Sequence, residues 1–243
     1  MIDNLLNESK NNNQKSALDN YSIKELMNLY ITYARPKYFM EHNNMSDILE
    51  YISLYVINNL IKNSFVDNLD LYTKLMMEIH NLEDMIESTN NIIRIRDYNL
   101  QDDFFLEMQS KTFKLDKEIY IEKYQTELNN FKNYNALYKQ ILTLLDNFQK
   151  NMLLSLNNYI DTLSNEEKNN LLIDINKKIE ENSLEINNRI ELRQDRKKLE
   201  LQSRFKDISV SELFDSLDIT YLKEQNYVFN QFQGVLKDNK KNK

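Results

Sequence analysis

The sequence predicts an all-α protein built from long helices, and three observations predict it. The 243 residues include one glycine, Gly234, and one proline, Pro36. Sheet proteins and nucleotide-binding α/β folds need many such residues for positive φ and tight turns, whereas long helices need almost none. Apolar residues recur at three- and four-residue steps over most of the chain, the repeat of one helix face. Finally, Ser22–Glu25, Ser164–Glu167 and Ser209–Glu212 have the spacing of capping boxes, and each opens an apolar-periodic run. In such a box the hydroxyl accepts from the N3 amide and the carboxylate accepts from the cap amide.

Residues 1–21, which include the run NNNQK, read as a disordered tail. A helical unit follows over 22–66. Its first helix is expected from Ile23 to about Ala34, ended by Pro36, because the residue before proline avoids the α region. A second is expected from Asp47 to about Lys62, capped by Ser46 or Asn44. Its apolar residues cover more than one stripe, as in a helix buried on several sides.

Residues 67–206 read as a long-helix, coiled-coil-like region. Tyr72, Leu75, Ile79, Leu82, Ile86 and Ile93 form one stripe, followed by a weak break at 96–103. The longest periodic run extends from Ile121 to Leu163, with Asn135 in one apolar slot and a stutter across 145–156. A third run holds Leu172, Ile175, Ile179, Asn182 and Ile186. A helix of roughly 60 residues would reach about 90 Å. At 162–167 the capping box favours a new start, and with it an antiparallel hairpin, over a kinked rod. Residues 207–236 read as one or two short helices, and 237–243 as a second disordered tail.

The expected partner interface is the seam of Leu75, Ile79, Leu82, Ile86, Leu128, Phe131, Tyr138, Leu142, Leu145, Phe148, Met152, Ile175, Ile179, Asn182 and Ile186. Asn182 sits in the register of the stripe and has two readings: a buried asparagine that fixes register at a cost in stability, or a solvent-facing one in a slightly drifted helix. The abundant tyrosines and phenylalanines at helical spacing suit wide helical interfaces.

Charge is unevenly spread. Twelve acids face four Lys/Arg between Ser46 and Glu107, while seven basic residues face three acids between Arg189 and Lys206. The basic segment, with Arg189, Arg193, Arg196, Lys197 and Arg204, is a possible anion-binding face for nucleic acid or an anionic membrane. Glu–Arg pairs at i, i+4, such as Glu185–Arg189 and Glu200–Arg204, give the competing reading of a solvated helix.

Equipment for catalysis is sparse. There is no cysteine, which excludes disulfides, thiolate metal sites and a cysteine nucleophile. The two histidines, His42 and His80, have no Glu-x-x-His or i, i+4 histidine partner. A single glycine near the C-terminus leaves no glycine-rich phosphate loop and no glycine-flanked serine elbow. The N-terminus lacks a basic segment leading into an apolar one, and the most apolar stretch, Ile48–Ile61, is too short to span a bilayer. The expectation is therefore a non-enzymatic, intracellular (cytoplasmic or nuclear) interaction subunit. It would use no cofactor and no small-molecule substrate, and it would join protein partners as a hetero- or homo-oligomer. Binding of nucleic acid or anionic membrane through 189–206 is the alternative.

Overall fold

A computed structural model describes residues 17–202 and 210–241, with side chains described over 18–194 and 219–238. The described residues form eight α-helices, two short 3₁₀ turns and no strand. The helices are α1 (Ile23–Tyr33), α2 (Pro36–Glu41), α3 (Met45–Asn59), α4 (Phe65–Asn99), α5 (Asp103–Thr112), α6 (Lys117–Thr162), α7 (Asn165–Gln202) and α8 (Val210–Lys241).

Side-chain caps do much of the work that glycine and proline do elsewhere. At α1 the Ser22 amide donates to Glu25 Oε2 at 2.8 Å, and the Glu25 amide donates back to Ser22 Oγ at 3.2 Å. The same exchange joins Ser164 and Glu167 at 2.8 and 3.3 Å ahead of α7. Both glutamate carboxyls are held below their ordinary range by these bonds from serine. Ser64 receives the Asp67 amide at 3.1 Å at the start of α4, and Asp102 receives the Phe105 amide at 3.0 Å at the start of α5. The third predicted box, Ser209–Glu212, lies partly outside the described residues.

The C-terminus of α5 ends in a Schellman turn without glycine. The Leu115 amide donates to the Ser110 carbonyl at 2.9 Å and the Lys114 amide donates to the Lys111 carbonyl at 3.2 Å. Lys114 adopts φ 54°, the left-handed region that a glycine would occupy at no cost.

Several elements differ from the sequence reading. Pro36 does end α1, but it also opens α2 at the first helical position, where its missing donor is harmless. Part of the expected N-terminal tail is ordered into a 3₁₀ turn at Ala17–Asn20. Leu18 there is fully buried, and Asp19 accepts from the Tyr55 hydroxyl at 2.5 Å. The weak break at 96–103 contains only three non-helical residues and is followed by the unpredicted α5. The longest helix has 46 residues, shorter than the expected 60, because Leu163 and Ser164 break the run. The expected short C-terminal helices are a single 32-residue α8, which extends to Lys241 through most of the expected second tail.

The chain divides into two compact units, one of residues 1–56 and 78–149, the other of 57–77 and 150–243. In the first, α4 and α6 run antiparallel. Their contacts descend from Asn135 Nδ2 on the Ile86 carbonyl (3.2 Å), through Arg96 on Glu127 (2.7 Å), to Asn99 Nδ2 on the Tyr124 hydroxyl (3.1 Å). The Arg96 guanidinium also lies 4.8 Å from the Tyr124 ring centre and 5.0 Å from that of Phe131. Tyr30 of α1 packs on Phe148 of α6 with centroids 4.7 Å apart, above a core that includes Leu26, Met27, Leu49, Ile52, Ile141 and Leu145.

The second unit packs Phe65 of α4 between Tyr159 of α6 (6.0 Å) and Phe232 of α8 (5.7 Å). Its other main feature is the pairing of α7 with α8. The bonded residues descend along one helix as they ascend along the other: Asn176 with Gln233, Asn182 with Gln225 and Asn226, Ser183 with Asn226. The two helices are therefore antiparallel.

Candidate interaction surfaces

The expected seam residues are covered by the chain itself. Leu75, Ile79, Leu82, Leu128, Leu145, Phe148, Met152, Ile175 and Asn182 are each at most 6% exposed in the single chain. Ile86, Phe131, Tyr138, Leu142, Ile179 and Ile186 are half-buried. At the nine buried positions the chain's own helices supply the cover that the sequence reading assigns to a partner, so those residues serve as internal packing; the other six keep part of their surface in solvent. A fully buried Leu or Ile contributes about 1.5–3 kcal/mol through removal from water, whichever chain supplies the cover.

On α7 the inward stripe runs Lys168, Leu172, Ile175, Ile179, Asn182, Ile186, Arg189 and Arg193, in strict alternation of four- and three-residue steps. Polar side chains take the central contact. Asn182, 3% exposed, donates to Gln225 Oε1 at 2.7 Å and to Asn226 Oδ1 at 3.0 Å. Gln225 Nε2 in turn donates to Asp70 Oδ1 of α4 at 2.7 Å. That same carboxylate oxygen accepts the Tyr221 hydroxyl, and Lys74 sits 3.1 Å from its other oxygen. Burial, with the Asp70 bond second, pushes the Tyr221 hydroxyl far above its ordinary range. Hydrogen bonding satisfies these buried polar groups, and unlike apolar contacts they fit only one axial alignment of the three helices.

The basic segment is only partly visible. Arg189, half-buried, is tied to Glu185 at 2.7 Å as an i, i+4 pair. Arg193 is half-buried, and its Nε has no hydrogen-bond partner among the described residues. The side chains of Arg196, Lys197 and Arg204 lie outside the described residues. The Glu200–Arg204 pair is outside them as well.

Large apolar side chains are left in solvent at many points of the described chain, and four of them fall between residues 98 and 113 of the first unit, which sequence reasoning passed over. Tyr98 at the end of α4 is 70% exposed, and Phe104 and Met108 on α5 are 74% and 49% exposed. Phe113, at 60%, stacks on Tyr120 with centroids 5.8 Å apart. Helix α5 has two distinct faces. Leu106 and Ser110 point inward, whereas Phe104, Glu107, Met108 and Lys111 form a solvent-facing stripe at i, i+3, i+4 and i+7. The three adjacent apolar residues Phe104, Phe105 and Leu106 hide this division from a periodicity search. The charges beside it are neutralised locally: Lys111 bonds Glu107 at 2.7 Å, and Lys117 bonds Asp103.

His80 is exposed and His42 is half-buried at the end of α2. Among the described residues no group of three or more His, Asp or Glu is placed to hold a metal, and no helix is long and apolar enough to cross a membrane. The lining of one open surface depression includes Ile119, Glu122, Lys123, Thr126 and Glu127, successive positions on one side of α6. No family model, curated protein or solved structure matches this chain.

Proposed function

We propose that this protein is a non-enzymatic interaction subunit of an intracellular multi-protein assembly. The observation that supports this reading is the concentration of exposed aromatic and aliphatic side chains at Tyr98, Phe104, Met108 and Phe113. Aromatic residues and methionine are enriched at protein–protein contacts relative to the rest of the surface. The long seams complete the internal packing, so partners engage the outward faces instead. Purification of the endogenous protein under mild conditions, followed by native mass spectrometry, tests the proposal. A defined stoichiometry with other chains is expected. Recovery of this chain without any other protein overturns it. The alternative, a face for nucleic acid or anionic membrane at 189–206, draws no support from Arg189, whose guanidinium is already engaged by Glu185.

A further inference from the structure

We propose that α5 is a self-association helix, which pairs antiparallel with α5 of a second copy of this chain through Phe104, Glu107, Met108 and Lys111. The inference deepens the reading above, on which it rests, by naming one partner. The argument begins with the order of charges along the exposed stripe. Acids occupy its N-terminal half, with Asp103 84% and Glu107 52% exposed at the side chain, and Lys111, 69% exposed, closes its C-terminal half. A parallel pair of these helices superposes like charges. An antiparallel pair centred between residues 107 and 108 sets each Phe104 opposite Lys111 of the second copy. Asp103 and Glu107, bonded within their own chain to Lys117 and Lys111, then lie about one and about three residues along the axis from that lysine, so the intrachain pairs of the two copies join into one alternating charge network.

The apolar content suits the same arrangement. The Phe104 ring meets the aliphatic stem and the ammonium of the opposing Lys111, a cation–π geometry, while Met108 of each copy fills the gap beside the two-fold axis. A two-fold contact of this kind is closed, because the same patch serves both copies. Tyr98 and Phe113 supply further exposed apolar surface in the flanking segments. Helix α5 has only 10 residues, so the contact belongs to the small, weak and reversible class rather than to obligate dimers.

Sedimentation equilibrium of the full chain over a wide concentration range tests the pairing. A reversible monomer–dimer equilibrium is expected. The combined Phe104→Ser and Met108→Ser substitutions should weaken it roughly tenfold or more, because exposed aromatic anchors dominate small contacts. Circular dichroism should be unchanged, since both side chains already face solvent. Glu107→Lys and Lys111→Glu should each weaken self-association. An equimolar mixture of those two variants should dimerise more tightly than either alone, because the pairing restores opposite charges on both sides. A monomer at every concentration, a dimer indifferent to the apolar substitutions, or a mixture no tighter than its components overturns the proposal. The outcome is separable from that of the broader reading. A monomer that still purifies with other chains removes only the self-pairing, whereas a dimer that purifies without any other chain removes the multi-protein assembly and leaves α5 pairing in place.

Discussion

Asn182 of α7 and Gln225 of α8 meet at 2.7 Å within the contact of the two helices, both less than 5% exposed. Replacing Asn182 by alanine removes the donor for two acceptors, Gln225 Oε1 and Asn226 Oδ1. Loss of about 1–3 kcal/mol is expected from the polar atoms left without partners, measured by urea denaturation. Asn182→Leu strands the same two acceptors and should also lose stability, though less than alanine because it adds apolar surface to the stripe. It deletes the contact that selects one alignment, so broadened amide resonances in α8 are expected as well.

Leu145 lies in the core of the first unit at 1% exposure. Leu145→Asp places a carboxylate there without a counter-charge and should unfold the unit itself, not merely separate it from partners. Leu145→Ala should cost about 2–5 kcal/mol through lost burial and the cavity left behind. Loss of the cooperative thermal transition in the aspartate variant, with a lowered midpoint in the alanine variant, checks both.

Lys114 holds a left-handed backbone that costs an L-residue about 1–2 kcal/mol, part of which glycine returns as greater freedom when unfolded. Lys114→Gly should therefore stabilise the protein by about 0.5–1 kcal/mol. A raised thermal midpoint with an unchanged helical signal is the expected result.

Tyrosines are expected to contribute to the loss of stability at alkaline pH, Tyr30, Tyr55 and Tyr221 most. Burial raises the Tyr30 hydroxyl and, with Asp70, that of Tyr221, while the bond to Asp19 pushes Tyr55 up to about 12. A raised folded value means that the folded state holds the proton more tightly than the unfolded chain. The stabilisation is complete below the unfolded value of about 10 and is lost as pH rises above it. Thermal midpoints should fall above about pH 10, and Tyr30→Phe should reduce the slope. An unaltered slope in that variant would assign the alkaline loss to other groups.

The elements that could be read from sequence were those whose determinants are local. Ser22 and Ser164 announce their helices because a cap and its N3 glutamate lie within one turn. Asn182 could be placed in its stripe by counting steps of three and four. What covers the stripe could not be read: Leu128 and Ile79 look the same whether a partner or the chain's own helix lies opposite. Helix α5 escaped because its adjacent Phe104, Phe105 and Leu106 blur the period, and its start depends on Asp102 acting as an unaccompanied cap. The region of α8 reads as one or two short helices because Ile219, Tyr221, Leu222, Val228 and Phe229 spread over more than one face. The α7 and α4 contacts that absorb those faces lie 43 to 155 positions away in the chain.

The rungs that hold α8 against α7 are amides and a hydroxyl: Asn182, Gln225, Asn226 and Ser183 carry no net charge. Added electrolyte weakens attraction between exposed ions and leaves such dipolar contacts almost untouched. The grip of the last helix on its neighbour should therefore hold across a wide span of ionic strength, so a change in the cell's ionic composition is not a signal that would release it.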